Sequence, residues 1–426
     1  MVRFKENNEI IREETYRAIL VGLKIDEDLS YYMEELRGLA EAAGIEVLGE
    51  MVQMVEKPNP ATFIGTGKVN ELAEMCVNME VDTLVFNNEL TGVQIRNLED
   101  RLRVRILDRT ILILDIFAAR AVSKEGKLQV EQAQLEYRLP RLTGFGKSLS
   151  RLGGGIGTRG PGETKLETDR RHIKRRIKDI KKEMEAVRSH RRTQRSQRER
   201  SGIPLVALVG YTNSGKSAVM NRFLFKAFKE GKAVTEKDMP FATLDTYHRH
   251  IKLDSNHEFI LIDTVGFVSN LPHSLVRAFK ATLEEVNYAD LLLHIVDASY
   301  PNSEFHIWVT DHVLSEIGAG NKEKIIVYNK IDLLKEKDRT PFEGKNNICI
   351  SAKYGENMDL LIKMISDRLY GNRIRTFLTI PYERGDIISD LRNKYKVDNT
   401  EYREEGAYLE VELPPEDYKR LEKFRV

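Results

Sequence analysis

The chain has 426 residues, 41% of them hydrophobic and 31% charged, with a formal net charge of +1. That length accommodates two or three domains, and the composition is that of a globular, highly charged protein rather than a fibrous or disordered one. The longest apolar stretch, Ile111 to Val122, is interrupted by Asp115 and Arg120, which excludes a spanning helix of about 18 or more apolar residues.

The N-terminal residues Met1 to Glu9 lack the apolar core of a signal peptide. The two cysteines, Cys76 and Cys349, each sit in an apolar pattern, as reduced core thiols of a cytoplasmic protein would. The nine histidines show no metal-ligand spacing, so no zinc site is expected. Ala18 to Leu23 reads as a buried strand. Ser30 opens a helix carrying Tyr32, Leu36, Leu39 and Ala43 at helical spacing, and Gly44 stops it. A strand at Ile45 to Leu48, a helix around 68–79, a strand at Thr83 to Phe86, a helix around 92–102 and a strand at Val104 to Leu107 follow. Such alternation predicts an α/β domain with a mostly parallel sheet. Within it, Gly65-Thr66-Gly67-Lys68 superficially resembles a phosphate loop but continues with Val69, where Ser or Thr is needed; a plain turn is the expectation.

Two helical arms come next. The first spans 126–139, with Leu128, Leu135 and Leu139 on one side. The second runs from about Thr164 to Arg195, and Leu166, Ile173, Ile177, Ile180, Met184 and Val187 form a heptad-like seam along it. Between them, residues 140–163 hold eight glycines together with Arg141, Lys147, Arg151 and Arg159. A flexible basic tip on a stiff hairpin is suited to probing RNA, because glycines let the backbone approach phosphates and arginines fork onto them; a linker is the alternative. From Lys165 to Arg200 fifteen Lys/Arg oppose six Asp/Glu, a local charge of +9 that leaves −8 for the rest of the chain. A concentration of this kind points to nucleic acid or another polyanion, with a solvated helix face as the bland alternative.

The strand pattern Leu205 to Val209 leads into Gly210-Tyr211-Thr212-Asn213-Ser214-Gly215-Lys216-Ser217, which fits the phosphate-loop pattern G-x-x-x-x-G-K-[ST]. Lys216 is expected to reach the β- and γ-phosphates of a nucleotide and Ser217 to give its hydroxyl to Mg²⁺. Downstream, Phe241-Ala242-Thr243-Leu244-Asp245 reads as a switch loop, with Thr243 assigned to Mg²⁺ and the γ-phosphate and Thr246 as the alternative. Asp263-Thr264-Val265-Gly266 ends an apolar strand. There Asp263 holds a Mg²⁺-bound water and the Gly266 N–H senses the γ-phosphate. Asn329-Lys330-Ile331-Asp332 follows a third strand. The Asp332 carboxylate accepts from N1–H and N2 of guanine, an edge adenine lacks, so GTP and GDP are the expected ligands. Ser351-Ala352-Lys353 completes the base side. The catalytic set is Lys216, Thr243 and Gly266; the metal set is Ser217, Thr243 and Asp263. Phe267 stands where many G proteins carry a water-orienting glutamine, which predicts slow hydrolysis until a partner assists. Beyond Gly371, strands at 376–381 and 407–413 with helices around 385–394 and 415–424 predict a small α+β appendage.

The fold class expected from this pattern is α/β: an N-terminal α/β domain (1–125), a helical hairpin with a Gly-rich basic tip (126–203), a P-loop G domain (204–371) and a C-terminal α+β domain (372–426). Over nearly its whole length the chain resembles the HflX family of translational GTPases. The segments that carry the resemblance are Asp108-Arg109-Thr110 through Ser123-Lys124-Glu125-Gly126, Tyr137-Arg138-Leu139-Pro140-Arg141-Leu142, Gly153-Gly154-Gly155 through Gly160-Pro161-Gly162-Glu163-Thr164-Lys165-Leu166-Glu167, and the G motifs with Phe241 to Asp245 and Asp263 to Phe267. The resemblance implies binding to the large ribosomal subunit and its rRNA, with the hairpin tip near the peptidyl-transferase centre. It also implies splitting of stalled or stress-damaged ribosomes, with GTP hydrolysis permitting release. A monomer with no integral membrane partner is expected. The chain departs from the family in having Thr246-Tyr247-His248 after Leu-Asp, where Pro-Thr is common. A ribosome-assembly GTPase acting on large-subunit precursors and a non-catalytic RNA-binding wedge are the competing readings.

Overall fold

The computed structural model describes residues 16–24, 29–142, 161–228, 247–252, 257–269, 283–335, 339, 342, 344–395 and 397–426. The glycine-rich tip at 143–160 and the switch segment 241–246, Thr243 and Thr246 included, lie outside the described residues. Two units are distinguished: residues 1–119 with 134–175, and residues 120–133 with 176–426.

In the first unit, β1 (Arg17–Lys24), α1 (Leu29–Ala42), β2 (Glu46–Met54), α2 (Thr66–Asn78), β3 (Thr83–Phe86), α3 (Gly92–Leu102) and β4 (Arg105–Asp108) alternate as the patterning predicts. The sheet has the order β2-β1-β3-β4 and every pairing is parallel. Ile19, Val21, Leu84 and Phe86 meet Leu72 and Leu98 in its core. Gly44, at φ +77°, takes the left-handed conformation that ends α1. Thr91 and Gln94 close a capping box at the start of α3. The 65–68 segment simply opens α2: the Gly65 N–H donates to Gln53 Oε1 at 2.9 Å and Lys68 pairs with Glu71 at 2.6 Å.

Two of the resemblance segments in this unit form one buried polar tie. Asp108 ends β4 fully buried and accepts from the Tyr137 hydroxyl, the Leu90 N–H (3.1 Å) and the Ile111 N–H (2.9 Å). Burial pushes its carboxyl pKa up, and these donors pull against that shift. The Arg141 guanidinium lies over the Tyr137 ring, 3.3 Å from its centroid, and donates to the Leu90 carbonyl at 3.0 Å. Next to Asp108, buried Arg109 pairs with Glu35 and donates to Asn87 Oδ1 at 3.0 Å. A buried charge is tolerable only when paired in this way.

Helix α4 (Arg109–Arg120) leads to the two arms, α5 (Lys124–Arg141) and α6 (Pro161–Ser201). Ile177, Ile180 and Met184 of the expected seam are buried, with Ile173 and Val187 partly so. The stripe on α5 differs from the expectation: Leu128, Val130, Ala133 and Tyr137 are buried, whereas Leu135 and Leu139 are only half-buried. A leucine count along one face overlooked the smaller and amphipathic residues that fill it. Arg176 of α6 makes a two-pronged pair with Glu131 of α5, at 2.7 and 2.8 Å.

In the second unit a six-stranded sheet has the order β10-β9-β8-β5-β7-β6. It is built from β5 (Leu205–Gly210), β6 (Tyr247–Lys252), β7 (Glu258–Asp263), β8 (Leu291–Asp297), β9 (Lys324–Asn329) and β10 (Asn347–Cys349), with helices α7 (Lys216–Phe228), α8 (Ser303–Glu316) and α9 (Met358–Tyr370). Only β6 runs antiparallel. The inner strands are continuous apolar runs because both faces are covered. Phe223, Phe259 and Ile365 fill one side; Phe267, Val313 and Leu314 fill the other. A three-stranded antiparallel sheet, β11 (Ile374–Ile380), β13 (Gly406–Leu413) and β12 (Val397–Arg403) in spatial order, packs on α10 (Gly385–Lys394) and the segment from α11 (Pro415–Arg420) onward through Leu391 and Leu421. Strand β12 has no clear alternation, so its pattern predicted nothing. Both cysteines are buried and form no disulfide, and the Cys349 thiol donates to the Arg339 carbonyl at 3.8 Å. Among the described residues no helix is long and apolar enough to cross a membrane.

Candidate nucleotide site

The carboxyl ends of β5, β7 and β9 deliver the sequence motifs to one edge of the sheet, where an open parallel sheet ordinarily binds ligands. Gly210 leaves β5 at φ +145°, backed against the Ile295 carbonyl of β8 so closely that a Cβ has no room. Asn213 (φ +58°) and Gly215 (φ +90°) complete the turn, and α7 starts at Lys216. The loop therefore runs straight into a helix N-terminus, whose unpaired N–H groups and dipole favour an anion. The loop is also laced to the Asp-x-x-Gly segment: the Phe267 N–H donates to the Gly210 carbonyl at 3.1 Å, and the Thr212 N–H donates to the Phe267 carbonyl at 2.7 Å.

Three candidate residues converge beside this loop. Lys216 Nζ is buried and donates to the carbonyls of Tyr211 (2.7 Å) and Gly210 (3.2 Å). Desolvation pushes its pKa down to about 8, against the opposing pull of the Asp263 carboxylate. Ser217 Oγ donates to Asp263 Oδ2 at 2.9 Å, and Asp263 is fully buried at the end of β7. A hydroxyl beside a carboxylate is a hard-oxygen pair of the kind Mg²⁺ takes, with water and phosphate oxygens completing its shell. A Cβ on Gly266 would come within 2.9 Å of both Lys216 Nζ and Thr212 Cα, so only glycine lets this backbone lie against the loop. Thr264 and Val265 play inward parts: the Thr264 hydroxyl donates to the Leu208 carbonyl at 2.6 Å, and Val265 is buried.

The base-side residues are joined as well. Asn329 Nδ2 donates to the Ser214 carbonyl at 3.0 Å while its Oδ1 accepts the Ala352 N–H at 3.0 Å, so one side chain spans the phosphate loop and the Ser351-Ala352-Lys353 loop. Ser351 Oγ donates to Asp332 Oδ1 at 2.6 Å. Lys330 is left-handed (φ +65°) and its ammonium pairs with Asp297 at 2.8 Å. Every candidate residue at 210–217, 263–266, 329, 330, 332 and 351–353 thus falls on one edge; those at 241–245 lie outside the described residues.

Three contributors had no motif to announce them. Arg222, on the second turn of α7, donates to the Ala352 carbonyl at 2.9 Å and to the Lys353 carbonyl. Asp297 orients Lys330 from the end of β8, and its position at the close of an apolar run was the available signal. His306 of α8 stacks on the ring of Tyr211, 3.9 Å between centroids and 10° from parallel. The Tyr211 hydroxyl accepts the Ser269 N–H.

A phosphate loop, an Asp-x-x-Gly strand end and an Asn-Lys-x-Asp base loop on one doubly covered parallel sheet define a P-loop GTPase. Comparison with known proteins is consistent along the chain. Residues 30–118 match the GTP-binding GTPase N-terminal family, 120–198 the GTP-binding GTPase middle region, 205–330 the 50S ribosome-binding GTPase family and 337–424 the HflX C-terminal domain. GTPase HflX of Caldanaerobacter subterraneus subsp. tengcongensis is 47% identical over 416 residues, covering 98% of this chain and 95% of that protein. GTPase HflX of Alkalihalophilus pseudofirmus is 42% identical, covering 95% of each chain, and that of Escherichia coli K12 is 39% identical with the same coverage. The chain belongs to the HflX family of GTPases.

Proposed function

We propose that the chain hydrolyses GTP slowly on its own, binds the large ribosomal subunit near the peptidyl-transferase centre, is activated there, and splits stalled or stress-damaged ribosomes. The observation that carries this reading is the Lys216, Ser217 and Asp263 cluster, set in a segment that matches the 50S ribosome-binding GTPase family. The exposed basic surface of α6 and the chain's resemblance to HflX proteins support the ribosomal part.

In this reading the N–H groups of 213–217 cradle the phosphates and Lys216 swings from the Tyr211 carbonyl to the β- and γ-phosphate oxygens. A phosphate anion beside the nitrogen favours the ammonium form and so opposes the desolvation that lowers its pKa. Ser217 and Thr243 would hold Mg²⁺, with Asp263 holding one of its waters, and the ion would supply charge neutralisation to the phosphates when bound. The Gly266 N–H meets the γ-phosphate. Asp332 reads guanine N1–H and N2 while Ser351 fixes the carboxylate's plane. The Phe267 side chain takes no part in orienting water, because it is buried in the core with Val209 and Val313.

Purified protein sedimented with large and small subunits in GTP, GDP and a non-hydrolysable GTP analogue tests the reading. GTP-dependent pelleting with the large subunit is expected, together with a fall in light scattering of intact ribosomes. Pelleting with neither subunit refutes it, and a preference for immature large subunits replaces splitting by an assembly role.

A further inference from the structure

The exposed face of α8 carries an aromatic row that the nucleotide chemistry does not use. Trp308 is the chain's one tryptophan and is 61% exposed. It stacks between Phe305 (ring centroids 6.1 Å apart, 19° between planes) and His312 (5.5 Å, 11°). An isolated exposed apolar residue needs no explanation. A solvent-facing tryptophan held in a stacked row is different, since its ring is oriented in advance and loses little entropy on meeting a partner. Tryptophan is also among the residues that most often dominate the energy of protein interfaces.

The charges around the row select the partner. Helix α8 carries Glu304, Asp311 and Glu316 and no lysine or arginine. Asp311 is engaged by Lys324 at 2.7 Å, and Glu316 lies 3.6 Å from His312 of the row itself; Glu304 and Glu316 bracket the aromatic row one at each end. Such a surface repels a phosphate backbone. It suits lysine or arginine side chains, which can lie over the indole face and meet the carboxylates. The basic α6 segment, by contrast, has the charge for RNA.

The row also adjoins the nucleotide site. Phe305 precedes His306, whose ring is sandwiched between Tyr211 of the phosphate loop (3.9 Å) and Tyr300 (4.5 Å, 18°). A partner seated on Trp308 therefore presses on the helix that backs the phosphate loop.

We propose that the Phe305-Trp308-His312 face of α8 is a docking surface for a basic protein segment of the ribosome, separate from the RNA-binding helix. This rests on the ribosomal reading above and names the class of partner for the G domain. Two variants test it, Trp308→Ala and the charge reversal Glu304→Lys/Glu316→Lys. Each is checked for an unchanged melting temperature and GDP affinity. Binding is measured to intact large subunits and to protein-free large-subunit RNA, with the tryptophan emission of the parent protein as a second readout. Each variant is expected to bind intact subunits about tenfold more weakly, as loss of an interface hot spot does, and to bind free RNA like the parent. The parent's emission should shift with subunits and stay unchanged with RNA. Equal binding of parent and variants to subunits overturns the inference while leaving the ribosomal reading intact. So does an equal emission shift with free RNA, which makes the row an RNA contact, or an emission that depends on the protein's own concentration, which makes it a self-association face. If the parent binds no subunits, the ribosomal reading falls and takes this inference with it.

Discussion

The backbones of Phe267 and Thr212 are joined by a 2.7 Å hydrogen bond, while the Phe267 ring turns away into the core beside Val209 and Val313. The residue at the position of the usual water-orienting glutamine thus contributes its peptide to the phosphate loop and its side chain to packing. Glutamine substituted there would not aim its amide at the site. Phe267→Gln should leave basal GTP turnover unraised and destabilise the protein by about 3 kcal/mol, from a lost aromatic and a buried amide. Single-turnover hydrolysis and urea denaturation measure the two effects. A rise in basal rate with unchanged stability would show that the side chain faces the nucleotide after all.

The Asp332 carboxylate, oriented by Ser351, should set base preference. In Asp332→Asn the amide can donate to the 2-oxo group of xanthine where the carboxylate repels it. GTP affinity is expected to fall by about tenfold or more and XTP affinity to rise, as competition binding reads directly. A preference unchanged from the parent would remove Asp332 from the base pocket.

Asn329 contributes by bridging, and its loss should be felt at both ends. Asn329→Ala leaves the Ser214 carbonyl and the Ala352 N–H without their shared partner, a cost of about 1–3 kcal/mol. Nucleotide affinity should drop five- to a hundredfold with kcat far less affected. Stopped-flow binding with a fluorescent GDP analogue distinguishes this from a catalytic defect, which would lower kcat at unchanged affinity.

The sites that proved legible in the sequence are those where chemistry dictates residue type at fixed spacing. The phosphate loop needs Gly210 and Gly215 in left-handed or otherwise forbidden backbone, and an Asp at a strand end needs no tertiary knowledge to be noticed. The parallel sheets were legible for the same reason, because buried strands must be continuously apolar. Other features arise from juxtaposition across long sequence separations. Arg222 meets Ala352 across 130 residues, and nothing local marks an arginine on a helix as a clamp. His306 reaches Tyr211 only because α8 packs over β5. The Asp108, Tyr137 and Arg141 tie was visible as segments that carried a resemblance, without a physical role until their burial was seen.

His294 on β8 should make the protein acid-sensitive. Its ring is fully buried, and desolvation, with Lys324 and Lys216 adding repulsion, lowers its pKa to about 4 despite the opposing pull of Asp311. In the unfolded chain it titrates near its ordinary value of about 6.5. Between these values the unfolded state binds the extra proton, so stability is whole above about pH 6.5 and falls as pH drops towards 4. At pH 5 the loss from this group is about 2 kcal/mol. Denaturant melts at pH 7.5 and pH 5 of the parent and of His294→Leu should show the variant losing less on acidification. An equal loss would assign the acid sensitivity to other groups.

The basic face of α6 should govern the salt dependence of ribosome binding, with one residue exempted by the structure. Arg175, Lys178 and Lys182 are exposed, whereas Arg176 is engaged by Glu131 and Glu183 of its own unit. Each cation that neutralises a phosphate releases condensed counterions, so log K falls with log salt in proportion to the number of contacts, by roughly 0.7 to 0.9 per phosphate. Arg175→Gln/Lys178→Gln/Lys182→Gln should therefore lower affinity for large subunits and flatten that slope by about 2 for three lost contacts. Arg176→Gln should leave the slope nearly unchanged and instead loosen the α5–α6 pairing, seen as a lower melting temperature. Pelleting across a salt titration separates the two, because an arm tie is independent of the phosphate count. If the triple variant keeps the parent's slope, the α6 face does not bind the backbone and its charge is only solvated surface.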